Sequence, residues 1–372
     1  MWKECIFQMS NKRKRCILLC AGALVLAAIF AVILFWGASP KSEAPKIGFI
    51  MTGSAEDIGW NGMHYSGISA ACDTLGAELL IKENIDEGTG QCAEAIKQLA
   101  ADGAKMIVLS SYSYPAEAQS VIESYPDIAF YGISAEYYAD NMTSFFGRMY
   151  QARYLAGIIA GMQTKTNKIG YVAAMLNSEV NRGINAFALG VKSVAPDAEV
   201  KVYWTGSWDD EAKETKAAQL LIEDGADVLA YHQNQPYTAY AADKAGVFSI
   251  GYNQAVDGLS DKYLTAAVWD YEELYSRIVK ELLQGKPNSV TRHWFGIETG
   301  AVGLSELSPL VSEQTKNAVN SAIEDMTNGK DVFSGVIYDN NGNLRCNEDE
   351  SISDDTLLTG MDWFVDGVSF YE

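Results

Sequence analysis

The sequence predicts an α/β protein of two Rossmann-like lobes with similar topology, built around a central ligand cleft and preceded by an N-terminal transmembrane helix. Three observations lead there. Apolar strand-like runs alternate with helical patterns through most of the chain, which is the mark of parallel sheets covered by helices. A block of sequence returns at a fixed offset: Lys46-Ile47-Gly48-Phe49-Ile50 reappears as Lys168-Ile169-Gly170-Tyr171-Val172, 122 residues later. Residues 16–36 form an uncharged apolar run of 21 residues, the length a helix needs to cross a bilayer.

Taken in order, residues 1–15 form a basic segment in which Lys12, Arg13, Lys14 and Arg15 directly precede the apolar run. The positive-inside rule keeps that cluster cytoplasmic and sends the folded body to the extracytoplasmic side. Residues 16–38 are then a single-pass membrane anchor. A cleaved secretory signal is the rival reading, although its apolar core is usually shorter, roughly 7–15 residues. Lipidation at Cys20 is disfavoured, because Leu19 is bulky where a small residue is expected and the apolar stretch follows Cys20 instead of preceding it. Residues 39–45 make an extended linker with prolines at 40 and 45.

The 372 residues, 48% hydrophobic, suffice for two domains with separate cores. Net charge is −20, and residues 1–40 hold five Lys/Arg against one Asp/Glu, so the remainder carries −24. Nucleic acid is therefore excluded as an expected partner, since phosphate binding needs a basic face. Beyond the apolar run only Cys72, Cys92 and Cys346 remain, an odd number at no metal-like spacing. Three histidines, His64, His232 and His293, are too scattered to suggest a metal centre, and no cofactor is expected.

Within the body, strands are expected over 47–51, 78–81 and 106–109, with helices over 61–75 and 91–101. The echo continues at the same offset, because Leu99, Asp102, Gly103 and Ala104 correspond to Leu221, Asp224, Gly225 and Ala226. Tyr131-Gly132-Ile133 and Ile250-Gly251-Tyr252 are displaced by 119, which fits a small loop difference. The expected lobes are residues 46–147 with about 265–292, and 148–264 with about 293–372. Residues 339–343 sit between short strand-like runs and read as a hairpin turn instead of a calcium loop. Residues 348–355 read as a solvated acidic segment, and Trp363 and Phe364 as core.

Two lobes of like topology present their strand-end loops to one another, and ligands of open α/β sheets bind beyond the carboxyl ends of strands. The candidate loops are 53–61, 110–112, 134–136, 175–177, 205–209, 232–235 and 252–254. They carry Ser54, Asp57, Trp60, Asn61, Ser111, Tyr112, Asn177, Trp208, His232, Gln233, Tyr252 and Asn253. Rings offer stacking faces and amides read the edge of a heterocycle, so a flat, polar, weakly charged ligand is expected. Several of the rings serve equally well to close the lobe cores. A hydrolase would draw on Ser110, Ser111, Asp57, Asp209 or His232, but nothing groups them into a triad, and no phosphate-binding glycine loop follows a strand. A binding protein is expected, not an enzyme.

Five segments resemble the basic membrane protein family of substrate-binding lipoproteins: Ile58-Gly59-Trp60-Asn61; Phe146-Gly147 with Leu155-Ala156-Gly157; Trp204-Thr205-Gly206-Ser207-Trp208-Asp209; Gly251-Tyr252-Asn253; and Gly360-Met361-Asp362-Trp363-Phe364. The resemblance spans residues 46–371. It implies the type I periplasmic-binding-protein fold, with three crossings that hinge two lobes, and a purine nucleoside or base as ligand. It also implies partnership with an ABC permease and its ATPase. By the same resemblance Trp60 and Asn61 would hold the base, with Tyr252 and Asn253 opposite. Nucleoside-binding members present an acidic residue near Asn253 and a lysine near Trp269; neither charge is present here, which shifts the expectation to a free base, adenine first. Simple-sugar binding by the same fold is the alternative ligand class. Fifteen residues ahead of the span are few for a signalling domain, so delivery is expected over ligand sensing.

Overall fold

The computed structural model describes residues 43–57 and 59–371. The expected membrane segment at 16–38 and Ile58 lie outside the described residues, among which no helix is long and apolar enough to cross a membrane.

From Lys46 onward the chain builds two separate sheets. The first runs in the order Arg292–Phe295, Met142–Gly147, Ala129–Ile133, Met106–Leu109, Lys46–Ile50, Glu78–Lys82, with every pairing parallel. The second runs Val302–Leu304, Tyr263–Trp269, Phe248–Asn253, Val228–His232, Lys168–Ala173, Glu199–Trp204, Val368–Phe370, and only the Val302–Leu304 edge is antiparallel. In both sheets the strand bearing the repeated Lys-Ile-Gly run lies between the second and third strands of its own half. Helices cover both faces, so the inner strands Met106–Leu109, Ala129–Ile133 and Val228–His232 are buried throughout and read as apolar runs.

The repeated residues occupy equivalent structural roles. A Cβ at Gly48 would lie 2.8 Å from Leu99 Cδ1, and one at Gly170 would lie 3.0 Å from Leu221 Cβ, so each glycine admits the helix that covers its strand. Gly103 (φ +90°) and Gly225 (φ +100°) take the left-handed conformation that stops those helices. The lysine opening each strand donates back to that turn, Lys46 Nζ to Asp102 O at 3.1 Å and Lys168 Nζ to Asp224 O at 2.7 Å.

Sheet membership moves two expected boundaries. Tyr263–Trp269 pairs with Phe248–Asn253, so the chain leaves the second sheet after Trp269 instead of near 265. Arg292–Phe295 pairs with Met142–Gly147, so the return falls after Phe295 instead of near 292. Alternation of apolar and polar residues marks a strand without saying which sheet edge it will extend.

The chain passes between the sheets at 147–149, 269–271 and 295–302, and the three passages touch. A Cβ at Gly147 would lie 2.3 Å from Trp269 Cζ3 and 2.8 Å from Val302 Cγ1. Arg148 N donates to Phe295 O at 2.7 Å, Trp294 Nε1 to Gly147 O at 2.9 Å, and Asp270 N to Ala301 O at 3.0 Å. Helix Met149–Gln163 then crosses helix Ser178–Val194 at backbone distance, since Cβ atoms at Gly157 and Gly190 would meet Phe187 O at 2.0 Å and Tyr154 O at 2.1 Å.

The tail behaves largely as expected. Ile337–Tyr338 and Leu344–Cys346 form the hairpin, whose Asp339 carboxylate accepts from Asn341 N, Asn343 N and Arg345 Nε. Trp363 and Phe364 are buried in the second domain's core. The acidic run differs at its end. Asp354 pairs with the half-buried Arg148 at 2.6 Å, and Asp355, largely exposed, pairs with Arg292 at 2.9 Å, so the run carries two ion pairs at its end.

Two outcomes follow from this packing. Gly147→Val forces a side chain into Trp269 and Val302, and chemical denaturation should show a loss of about 3 kcal/mol or more, beyond the usual cost of overpacking. Glu214 is fully buried; its Oε1 accepts from Asp210 N at 3.2 Å and its Oε2 has no partner, and burial raises its pKa from 4.5 to about 7. The folded state therefore holds this proton more tightly than the unfolded chain, and stability falls as pH rises from about 4.5 to about 7. Glu214→Gln should remove that slope and raise stability at pH 8 by roughly 1–3 kcal/mol in denaturant melts at the two pH values.

Candidate functional site

A cavity of about 560 Å³ opens between the domains. The first domain supplies Thr52, Trp60, Ser110, Ser111, Tyr112 and the 133–136 loop, together with Ser144 and Phe146. Asn177, Ser178, Glu179 and Arg182 enter from the second domain, joined by Leu358 and Thr359 of the short helix Asp354–Thr359. Glu87 and the returning strand residues Arg292, His293 and Trp294 complete the lining.

Trp60 opens helix Trp60–Leu75; its Nε1 donates to Ser110 O at 3.0 Å, which fixes the indole across two strand ends. His64 lies one turn along, 4.1 Å from the Trp60 ring, and its Nδ1 is 2.7 Å from Tyr275 Oη. Burial lowers the His64 pKa from 6.5 to about 3, so it stays neutral. Ser111 and Ser113 both donate to the Glu87 carboxylate, and those bonds hold the Glu87 pKa below the usual carboxylate value. Tyr112 is 56% exposed and stands at the mouth of the cavity. Asn177 caps its helix by accepting from Val180 N at 3.0 Å.

Of the residues expected from sequence, the structure brings Trp60, Ser111, Tyr112 and Asn177 to this cavity. Three others are taken up by their own loop. Asn61 accepts from Gly53 N at 3.1 Å and donates to Asp57 at 3.1 Å, Asp57 accepts from Gly59 N at 2.7 Å, and Ser54 Oγ donates to Glu83 at 3.3 Å.

The remaining residues pack behind the cavity wall. Trp208 lies 5.7 Å from His232, and His232 lies 4.3 Å from Tyr252. Gln233, with its amide oriented to satisfy its neighbours, donates to Ser207 O and accepts from Thr205 Oγ1, both at 2.8 Å. Asn253, at φ +74°, accepts from Tyr271 Oη at 3.0 Å and places Nδ2 3.2 Å from Met63 Sδ. Trp269 packs on Phe146 at 4.9 Å and on Tyr271 at 5.9 Å.

Two arginines of the second domain are buried here, Arg182 within the cavity lining and Arg153 outside it. Arg153 is 1% exposed; its Nη1 donates to Tyr231 O at 2.7 Å and its guanidinium lies 4.0 Å from the Tyr252 ring, while Nε and Nη2 have no partner. Arg182 is 4% exposed and donates from Nη1 to Leu357 O at 3.2 Å. Among the described residues neither has a carboxylate within ion-pair distance. Burial and these two cations hold His232 neutral, its pKa pushed well below 6.5.

Sequence reasoning missed Glu87, Glu179, Arg182, the 292–294 strand and Leu358–Thr359. Asn177 carried the signal for two of them, because the helix it caps places Glu179 and Arg182 within two turns of the strand end. Among the described residues no group of His, Cys, Asp and Glu is placed to hold a metal ion.

Comparison with known proteins places this arrangement. A putative ABC transporter glucose-binding protein of Haloferax volcanii is 33% identical over 89% of this chain and 82% of its own length. A purine-binding protein of Brucella abortus is 32% identical over 93% of this chain and 98% of its own. Among solved structures, an ABC transporter solute-binding protein from Conexibacter woesei superposes with a TM-score of 0.65 at 21% identity, covering 77% of this chain and 97% of that one. A transcriptional activator of the comK gene from Bacillus halodurans has the same fold, with a TM-score of 0.70 at 23% identity over 76% of this chain and 98% of that chain. The fold is thus the two-domain, periplasmic-binding-protein-like one, and the family model of PnrA-like ABC transporter substrate-binding proteins matches residues 44–332. The chain belongs to that family, Bmp.

Proposed function

We propose that the protein captures a purine base in the cleft between its domains and delivers it to an ABC permease with its ATPase, working from the extracytoplasmic side of a membrane to which residues 16–38 tether it. The observation that carries this reading is the cavity of about 560 Å³, which takes its lining from both domains and offers the Trp60 indole as a fixed platform. The Brucella relative, named for purine binding and aligned over 93% of this chain, supports the ligand class. Nucleoside-binding members carry an acid near Asn253 and a lysine near Trp269, and the lack of both charges here favours a free base over a nucleoside.

Base stacking on an aromatic side chain contributes about 1–3 kcal/mol. With a few hydrogen bonds from the opposite domain, micromolar affinity is within reach. The three adjoining passages form the hinge of the type I arrangement in this reading, and a ligand that touches both domains favours closure by differential affinity alone. Monosaccharide binding is the second reading, supported by the glucose-binding name of the Haloferax relative.

Calorimetric titration of the full chain, kept soluble in detergent, distinguishes the two. Adenine or hypoxanthine should bind in the micromolar range or tighter, with inosine, ribose and glucose weaker. Trp60→Ala should weaken base binding by about 5-fold to about 150-fold. Glucose binding with no purine bound would overturn the purine assignment.

A further inference from the structure

The first domain brings four acidic or basic side chains to the cavity, Glu87, Glu136, Arg292 and His293, and three of them already have partners. Glu87 accepts from Ser111 and Ser113, Arg292 engages Asp355 and Tyr138, and His293 pairs with Glu281 at 2.6 Å. Trp60 has likewise committed its N–H to Ser110 O. The second domain differs. Arg182 lines the cavity and uses only Nη1, on Leu357 O, which leaves the parallel donors Nε and Nη2 without an acceptor among the described residues. Glu179 lines the cavity three positions earlier on the same helix and has neither a hydrogen bond nor an ion pair there.

A guanidinium offers donors only and a carboxylate acceptors only. The pair therefore presents two adjacent donors beside one acceptor. The ligand edge that complements it reads acceptor, acceptor, donor. A 6-oxopurine has that order at N7, O6 and N1–H. Adenine reads acceptor, donor, acceptor at N7, N6 and N1, which would aim its amino hydrogens at a guanidinium. Arginine favours the O6/N7 pair of an oxopurine for the same reason in nucleic-acid recognition, where asparagine and glutamine favour adenine. Arg153, a second buried cation without a carboxylate, lies outside the cavity lining and adds only positive potential on the second-domain side.

We infer that Arg182, assisted by Glu179, selects a 6-oxopurine such as hypoxanthine or guanine over adenine. This rests on the purine reading above and reverses the adenine preference drawn from sequence, because adenine was favoured only by charges missing near Asn253 and Trp269, not by any group present to read its amino edge.

The test is titration of the full chain in detergent with hypoxanthine, adenine and 7-methylhypoxanthine, the last blocked as an acceptor at N7. Hypoxanthine should bind about 10-fold or more tightly than either of the others. Arg182→Gln, whose amide offers one donor and one acceptor, should erase or invert that ratio. Arg182→Lys keeps the charge without the fork and should lose most of the N7 dependence. Thermal melts of each variant separate lost recognition from lost folding, and Glu179→Gln, which weakens hypoxanthine but not adenine, is the independent arm if Arg182→Gln fails to fold. Adenine binding as tightly as hypoxanthine to the parent protein would overturn the selection by Arg182 while leaving the purine reading intact. Binding of glucose with no purine bound would overturn both.

Discussion

The two domains are held in register by the contact of three chain passages at Gly147. That residue has no side chain because Trp269 and Val302, one from each of the other passages, occupy the space a Cβ would need. Backbone bonds tie the same passages, from Arg148 N to Phe295 O and from Asp270 N to Ala301 O. The cleft inherits its geometry from this junction. Phe146, immediately before Gly147, lines the cavity, and Arg148, immediately after, grips Asp354 on the short helix whose Leu358 and Thr359 face the same space. Any rearrangement between domains must be absorbed by a few residues packed this tightly, which favours discrete arrangements over continuous sliding.

The architecture was legible in the sequence because its repeat has a physical cause. Gly48 and Gly170 each admit a leucine from a covering helix, and Gly103 and Gly225 each turn the chain with positive φ, so any two lobes built this way would share those residues at one offset. Strands buried on both faces announce themselves as apolar runs. The domain boundaries were less legible, because Tyr263–Trp269 and Arg292–Phe295 are strands on either assignment and only long-range pairing decides which sheet receives them.

The candidate site was legible in part, and the reason lies in side-chain reach. The strand-end rule identifies loops, and of the residues it named Trp60, Ser111, Tyr112 and Asn177 line the cavity. Asn61, Asp57 and Ser54 stand in the same loop yet spend their polar atoms holding its turn together, a role their short side chains suit well. Asn253 and Trp269 lie at strand ends but pack against Met63, Tyr271 and Phe146 from the first domain, while the Tyr252 ring packs on His232 and Arg153. Arg182 sits too far into its helix for a loop rule, although a guanidinium reaches back over a turn. Burial and missing partners single it out, and neither is written in sequence.

The charge distribution explains why such an arginine is useful. Beyond residue 40 the chain carries a net −24, yet the second-domain side of the cleft holds two buried guanidinium groups with no carboxylate in contact. A buried cation without a counter-charge is costly, and Arg153 offsets that cost by a carbonyl of Tyr231 and the faces of Tyr252 and Tyr171. In the proposed reading, an acceptor edge placed against Arg182 supplies the missing interaction while the base stacks on Trp60 of the other domain. Recognition and closure would then draw on the same free energy, since the group proposed to select the ligand is also the one whose interaction a shut cleft would complete.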